Sequence, residues 1–213
     1  MKIKVCGMKD PENIRQLVEL PIDMLGLIFY EKSPRFAGGL DPAALKTVPS
    51  NIQKAGIFVN AGNDFILDIA TRYNLNMLQL HGQESSKTCN ELRKEGFKII
   101  KAFPVSDKND LLKCEEYDNS CDYFLFDTKT SVYGGSGQKF DWTVLSSFRS
   151  KTPFLLSGGI DSEDFQSSSL QILKSSNPYL FALDLNSRFE IAPGIKDIEK
   201  LKITIQRWKI KKQ

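Results

Sequence analysis

Two side chains far apart in the chain have types suited to proton transfer, Cys6 and Asp127. Each closes an apolar run, Ile3-Lys4-Val5-Cys6 in one case and Tyr123-Phe124-Leu125-Phe126-Asp127 in the other. A thiol of ordinary pKa, about 8.5, is about 3% thiolate at pH 7, enough for a base or a nucleophile. An ordinary aspartate, pKa about 3.9, is only about 0.1% protonated there, so it serves as an acid only where burial or neighbouring anions favour its neutral form. The bland alternatives are a small buried residue for Cys6 and a turn-capping carboxylate for Asp127.

Other residues ask for anions. Ser157-Gly158-Gly159 follows the run Pro153-Phe154-Leu155-Leu156, where bare backbone N–H groups can approach a phosphate or serve only a tight turn. Asp184, Asn186 and Ser187 follow the last apolar run. Arg35 lies in the loop Ser33-Pro34-Arg35-Phe36, either gripping a carboxylate bidentately or standing in solvent. His81, the single histidine, reads as a wall residue of the site and not as its main acid or base. Gly134-Gly135 belong to a glycine-rich loop after Asp127.

The elements that must position these residues follow from the order of apolar runs. Eight of them, beginning near Ile3, Met24, Lys54, Met77, Lys98, Tyr123, Pro153 and Tyr179, alternate with eight helical segments. Asp10-Pro11 and Asp41-Pro42 carry helix-start signals. Further helices are expected over 63–73, 84–95, 108–114, from 141, over 161–173 and from 196. No linker divides the alternation, so 1–213 reads as one domain. Strands alternating with helices imply a parallel sheet. Eight units in 213 residues fit a (β/α)8 barrel near the lower size limit of that fold, with an open doubly wound sheet as the alternative. In a barrel the chemistry gathers at the C-terminal strand ends, which puts Cys6 and Asp127 on opposite sides of one mouth.

Composition narrows the class. Hydrophobic residues make up 41% and charged residues 26%, and the net charge of +3 is too mild to point to nucleic acid. The basic end, Lys209-Ile210-Lys211-Lys212-Gln213, reads as a solvated helix end. No membrane span or signal peptide is evident. Cys6, Cys89, Cys114 and Cys121 contain no C-x-x-C pair, which leaves metal and redox motifs weak and a reduced cytoplasmic setting simplest.

With these residues assembled, the chain resembles the phosphoribosylanthranilate isomerases of tryptophan biosynthesis over nearly its whole length. The resemblance rests on Lys4-Val5-Cys6-Gly7, Ser33-Pro34-Arg35-Phe36, Gly56-Ile57-Phe58-Val59-Asn60 and Leu78-Gln79-Leu80-His81-Gly82. It continues through Phe126-Asp127-Thr128, Gly134-Gly135-Ser136-Gly137 with Phe140-Asp141-Trp142, Leu156-Ser157-Gly158-Gly159, and Pro193-Gly194-Ile195-Lys196-Asp197. It implies a cofactor-free, metal-free (β/α)8 barrel, acting as a monomer on a phosphorylated small molecule by an Amadori rearrangement. Asp127 would be the general acid and Cys6 the general base. Arg35 would hold the anthranilate carboxylate, and His81, Gly134 and Gly135 would line the substrate. Ser157, Gly158, Gly159, Asp184, Asn186 and Ser187 would hold the phosphate. Arg188 stands where the family usually has glycine, and it is expected at the rim or in solvent. Two competing readings are a related barrel acting on another sugar phosphate through a lysine acid, for which Lys101 and Lys129 lie near strand ends, and a barrel that binds a phosphorylated ligand without turnover.

Overall fold

The computed structural model describes residues 1–129 and 139–210. Eight strands run parallel in sequence order: β1 (Lys2–Val5), β2 (Met24–Ile28), β3 (Gln53–Phe58), β4 (Met77–Leu80), β5 (Lys98–Val105), β6 (Tyr123–Thr128), β7 (Phe154–Leu156) and β8 (Leu180–Leu185). β8 pairs back onto β1, matching Lys4 with Asp184, and the sheet closes into a barrel. The open-sheet alternative is thereby excluded.

The outer layer is less regular than the alternation suggests. True α-helices are α1 (Pro11–Leu17), α2 (Asn63–Arg72), α3 (Ser86–Lys94), α4 (Ser168–Ser176) and α5 (Ile198–Ile210). Three crossovers carry 3₁₀ turns instead, over Pro42–Thr47, Lys108–Tyr117 and Trp142–Ser147. The starts were legible: Asp10 accepts the Asn13 amide at 2.7 Å, and Asp41 accepts that of Ala43 at 2.9 Å. The expected helix over 161–173 breaks at Ser167, with a 3₁₀ turn, Ser162–Gln166, before α4. Lys196 lies not in the last helix but in a short antiparallel hairpin, β9 (Glu190–Ala192) with β10 (Ile195–Lys196).

Side chains alternate between the faces of a strand, so one inward residue fixes the rest of its strand. Met24, Ala55, Met77, Ile100, Ala102, Leu125, Leu155 and Ala182 form the inner cluster of the barrel. Stepping by two toward the C-terminal ends gives Ile28 on β2, Ile57 on β3, Gln79 then His81 on β4, Asp127 after Leu125, Ser157 after Leu155, and Asp184 after Ala182. The other parity faces the outer layer. There Phe124 and Phe126 of β6 join Phe103, Phe148 and Phe154 in edge-on and tilted contacts at centroid distances of 5.1–6.4 Å. This aromatic layer clamps β6 between its neighbours, which fixes the strand end carrying Asp127.

The exit from β6 is also anchored. Asp110 accepts from the Ser106 amide at 3.0 Å and its hydroxyl at 2.9 Å, and Lys129 Nζ lies 3.2 Å away. Burial works to raise the Asp110 pKa, but the Ser106 donors and Lys129 more than offset it and hold the carboxyl at about 2. The folded value is below the ordinary one. Its stabilising effect is therefore present above about pH 4 and lost as pH falls toward about 2. Asp110→Asn is expected to cost about 1–2 kcal/mol at pH 7, below the full linkage value because Lys129 is half exposed. Urea unfolding across pH 2 to 7 checks this: the gap from wild type should close over the acid range, and a constant gap would contradict it.

Candidate active site

The inward residues at the C-terminal strand ends surround an open cleft of about 510 Å³, mouth included. Its walls bring together Cys6, Gln79, His81, Asp127, Ser157, Asp184 and Asn186, with Tyr30 and Ser33 from the loop after β2. Cys6 and Asp127, 121 positions apart in sequence, thus share one cavity of small-ligand size.

Cys6 is 3% exposed and sits against Gly26, where a Cβ would lie 2.8 Å from its Sγ. Glycine on β2 is what makes room for the thiol. Burial pushes the Cys6 thiol up; the Lys4 ammonium opposes this, and Asp184 adds to it. Lys4 points into the barrel two residues before Cys6 and donates to Asp184 Oδ1 at 2.9 Å, with neither side chain more than 5% exposed. Burial alone would lower Lys4, but the pull of Asp184 more than compensates and keeps it charged. Asp184, expected among the phosphate contacts, is the buried partner of Lys4, and burial pushes its carboxyl up against the pull of that ammonium.

Asp127 Oδ1 accepts the Thr128 amide N–H at 2.9 Å, and Oδ2 lies 3.4 Å from His81 Nε2. The other ring nitrogen of His81, Nδ1, is 2.8 Å from the Gln79 side-chain amide. Gly158 presses on the same strand end, since a Cβ there would meet Thr128 Oγ1 at 2.2 Å and Asp127 Oδ1 at 3.2 Å. Both Gly158 (φ 91°) and Gly159 (φ 64°) take left-handed conformations. The Ser157 amide is not free for an anion, because it donates to Phe126 O at 2.8 Å in the barrel ladder; only its side chain reaches the cleft.

Arg35 is not a solvent-facing loop residue. Its Nε and Nη2 fork onto Glu190 at 2.8–3.1 Å, and both side chains are buried. Lys196 Nζ adds contacts to Glu190 Oε1 at 2.6 Å and Asn186 Oδ1 at 2.7 Å. Burial favours a neutral Glu190, but Arg35 and Lys196 outweigh it and hold the carboxyl below the usual range. Burial in turn pushes Lys196 down against Glu190. Gly7 permits this crowding: a Cβ there would lie 2.8 Å from both Arg35 Cδ and Asn186 Oδ1. Asn186 thus holds Lys196, while Ser187 opens a 3₁₀ turn to Phe189. The Arg188 side chain is exposed, as the rim-or-solvent reading expects. Gly134 and Gly135 lie outside the described residues.

The lysines of the competing enzyme reading face elsewhere. Lys101 points outward to Glu84 and the carbonyls of Leu80, Gly82 and Ala102, and Lys129 pairs with Asp110. Among the described residues no group of three His, Cys, Asp or Glu could hold a metal ion, and no helix is long and apolar enough to cross a membrane. Sequence reasoning missed Lys4, Gly26, Gln79, Glu190 and Lys196. Lys4 and Gln79 had a usable signal, since each sits two residues before a flagged strand-end residue and shares its face.

Comparison with known proteins gives a consistent picture. The family model for N-(5'-phosphoribosyl)anthranilate isomerase matches residues 3–207. A curated isomerase of that name from Parabacteroides distasonis is 46% identical over 97% of this chain and 93% of its own. The crystal structure of the Thermotoga maritima phosphoribosyl anthranilate isomerase superposes with a TM-score of 0.82 at 33% identity, covering 98% of both chains. Another solved phosphoribosyl anthranilate isomerase, in complex with reduced 1-(o-carboxyphenylamino)-1-deoxyribulose 5-phosphate, superposes with a TM-score of 0.79 at 30% identity over 98% of each chain. Fold and sequence agree, and the chain belongs to the N-(5'-phosphoribosyl)anthranilate isomerase family.

Proposed function

We propose that this chain converts N-(5-phosphoribosyl)anthranilate to 1-(2-carboxyphenylamino)-1-deoxyribulose 5-phosphate, with Asp127 as general acid and Cys6 as general base. The observation that carries the residue roles is the shared cleft: a carboxyl and a thiol line one cavity, and a buried ammonium stands beneath the thiol. Asp127 protonates the ribose ring oxygen, and the C1–O bond breaks to give the protonated Schiff base. The Cys6 thiolate removes the C2 proton, leaving a neutral enolamine. Return of one proton to C1 and loss of the enol proton give the ketone, so protons balance over the cycle. Lys4 favours the thiolate against burial, which is why it belongs to the chemistry as well as to the fold.

Arg35 is assigned to the substrate carboxylate. A guanidinium carries five N–H donors, and the Glu190 fork engages only the Nε–Nη2 edge, so donors remain for a second carboxylate. Gly158, Gly159 and the turn after Asn186 are assigned to the phosphate, with backbone donors in the main role. His81 borders the reacting carbons. The phosphorylated substrate supports a cytoplasmic location.

The direct test is the fall of anthranilate fluorescence: wild-type protein without added metal should consume phosphoribosylanthranilate, and absence of turnover would refute the assignment. Cys6→Ser and Asp127→Asn are each expected to lower kcat by at least about 10²-fold with the fold intact. Retention of more than about a tenth of the activity by either would remove that residue from its role.

Arg35→Ala is expected to raise KM more than it lowers kcat, at a cost of about 1.5–3 kcal/mol in kcat/KM. Unchanged kinetics would leave Arg35 only its structural bond to Glu190.

Lys4→Met should destabilise the barrel by about 3–5 kcal/mol, because Asp184 is left buried and unpaired. Adding Asp184→Leu should restore most of the thermal stability but not the turnover. Recovery of both together would show that Lys4 serves the fold alone.

A further inference from the structure

The donors assigned to the phosphate lie on two separate loops, one after β7 and one after β8. Among the described residues, the backbone N–H groups of Gly158, Gly159 and Ser187 make no hydrogen bond. An anion set between the loops would take up both groups of donors at once, provided the spacing of the loops is held.

A single side chain of the outer layer holds that spacing. Lys200 Nζ, on α5, lies 2.9 Å from Asp161 Oδ1 at the end of the first loop and donates to the Arg188 carbonyl in the second at 2.7 Å. The same ammonium stands 5.2 Å from the centroid of the Phe189 ring. All three attachment points are stiff. Asp161 Oδ1 accepts the Ser162 amide at 2.6 Å, and the Asp161 amide donates to Asp164 Oδ2 at 2.7 Å, so the ion pair acts on the loop backbone. Phe189 N–H donates to Asn186 O at 3.0 Å, which closes the turn that carries the Arg188 carbonyl. The Lys200 amide donates to Asp197 Oδ1 at 2.9 Å, which fixes the start of α5. Burial works to raise the Asp161 pKa, but the Lys200 ammonium and the Ser162 donors outweigh it and keep the carboxyl ionised. The two charges of the pair therefore cancel, and what Lys200 gives a phosphate is geometry, not attraction. We propose that Lys200 is a positioning residue for the substrate phosphate: it braces the loop after β7 against the loop after β8 so that their N–H groups converge on one anion.

The proposal rests on the phosphate assignment made above, and its test separates the two. In ¹⁵N-glycine-labelled wild-type protein, inorganic phosphate should move the amide resonances of Gly158 and Gly159. If it moves neither, the phosphate assignment fails and the proposal falls with it. Lys200→Met should weaken phosphate binding about tenfold and raise KM for phosphoribosylanthranilate by a similar factor, with kcat within about threefold. Lys200→Arg reaches both acceptors and should restore both values to within about threefold. Asp161→Ser keeps a cap oxygen for the turn but is too short to meet Lys200, and it should weaken phosphate as Lys200→Met does. Wild-type phosphate affinity and KM in Lys200→Met, even with a lowered Tm, would assign the bridge to the fold alone and overturn the proposal. A loss in Lys200→Met that is absent from Asp161→Ser would make Lys200 a direct phosphate ligand and would also overturn it. Should Lys200→Met not fold, Asp161→Ser decides, and wild-type affinity there would overturn the brace.

Discussion

The contact between Lys4 Nζ and Asp184 Oδ1, 2.9 Å long and closed to solvent, stands at the seam where the first and last strands meet. The two residues are 180 positions apart and are register partners on β1 and β8. Sliding β1 by one residue would set Lys4 against Leu183 or Leu185 and leave two buried charges unpaired, a penalty of several kcal/mol per ion. It would also turn Cys6 from the cleft to the outer layer, because strand faces alternate. The same pair therefore fixes the closure of the barrel and the direction in which the thiol points. Its cost in desolvation is offset only while both partners are present, and so Lys4 and Asp184 behave as one unit.

Strand parity explains how much of the site can be read from sequence. The eight apolar runs are legible because strands buried on both faces are continuously apolar and short. Once Cys6 and Asp127 are placed at strand ends, Lys4 and Leu125 must share their faces, and Lys101 must face away from a cleft that Ala102 faces. The helical layer is less legible. Asp-Pro marks the start over Asp41-Pro42 as clearly as over Asp10-Pro11, yet one opens a 3₁₀ turn and the other an α-helix. Cap chemistry reports where a turn begins and not whether it continues as an α-helix or a 3₁₀ turn.

Contacts between loops distant in sequence were not legible. Arg35 suits a carboxylate, and the carboxylate it meets belongs to Glu190, 155 positions later. Neither residue type nor local spacing signals that partner. Lys196 was assigned to a helix because its neighbours, Asp197 and Glu199, look like a helix start; the hairpin turns it inward onto Glu190 and Asn186 instead. Nor does the sequence show that the Ser157 amide is taken up by the ladder or that Asp184 pairs with Lys4.

These buried charges also constrain the chemistry. Lys4 and Lys196 both act on the Cys6 thiol, and each is paired with a buried carboxyl, Asp184 and Glu190 respectively. The cleft itself holds two groups that can carry a negative charge, the Cys6 thiolate or the Asp127 carboxylate. A resting enzyme with a thiol and a carboxylate has the same total charge as a reactive one with a thiolate and a carboxylic acid. Moving the proton between them changes no net charge in the cavity, so the surrounding ion pairs do not by themselves choose between the two states. What chooses is local. Burial opposes the Cys6 thiolate and Lys4 favours it. A substrate carrying a phosphate at one end and a carboxylate at the other adds negative potential throughout the cleft, which favours the neutral acid beside the ring oxygen. The thiolate must then rely on its own nearest cation, which ties the base to Lys4 and, through Lys4, to the seam of the barrel.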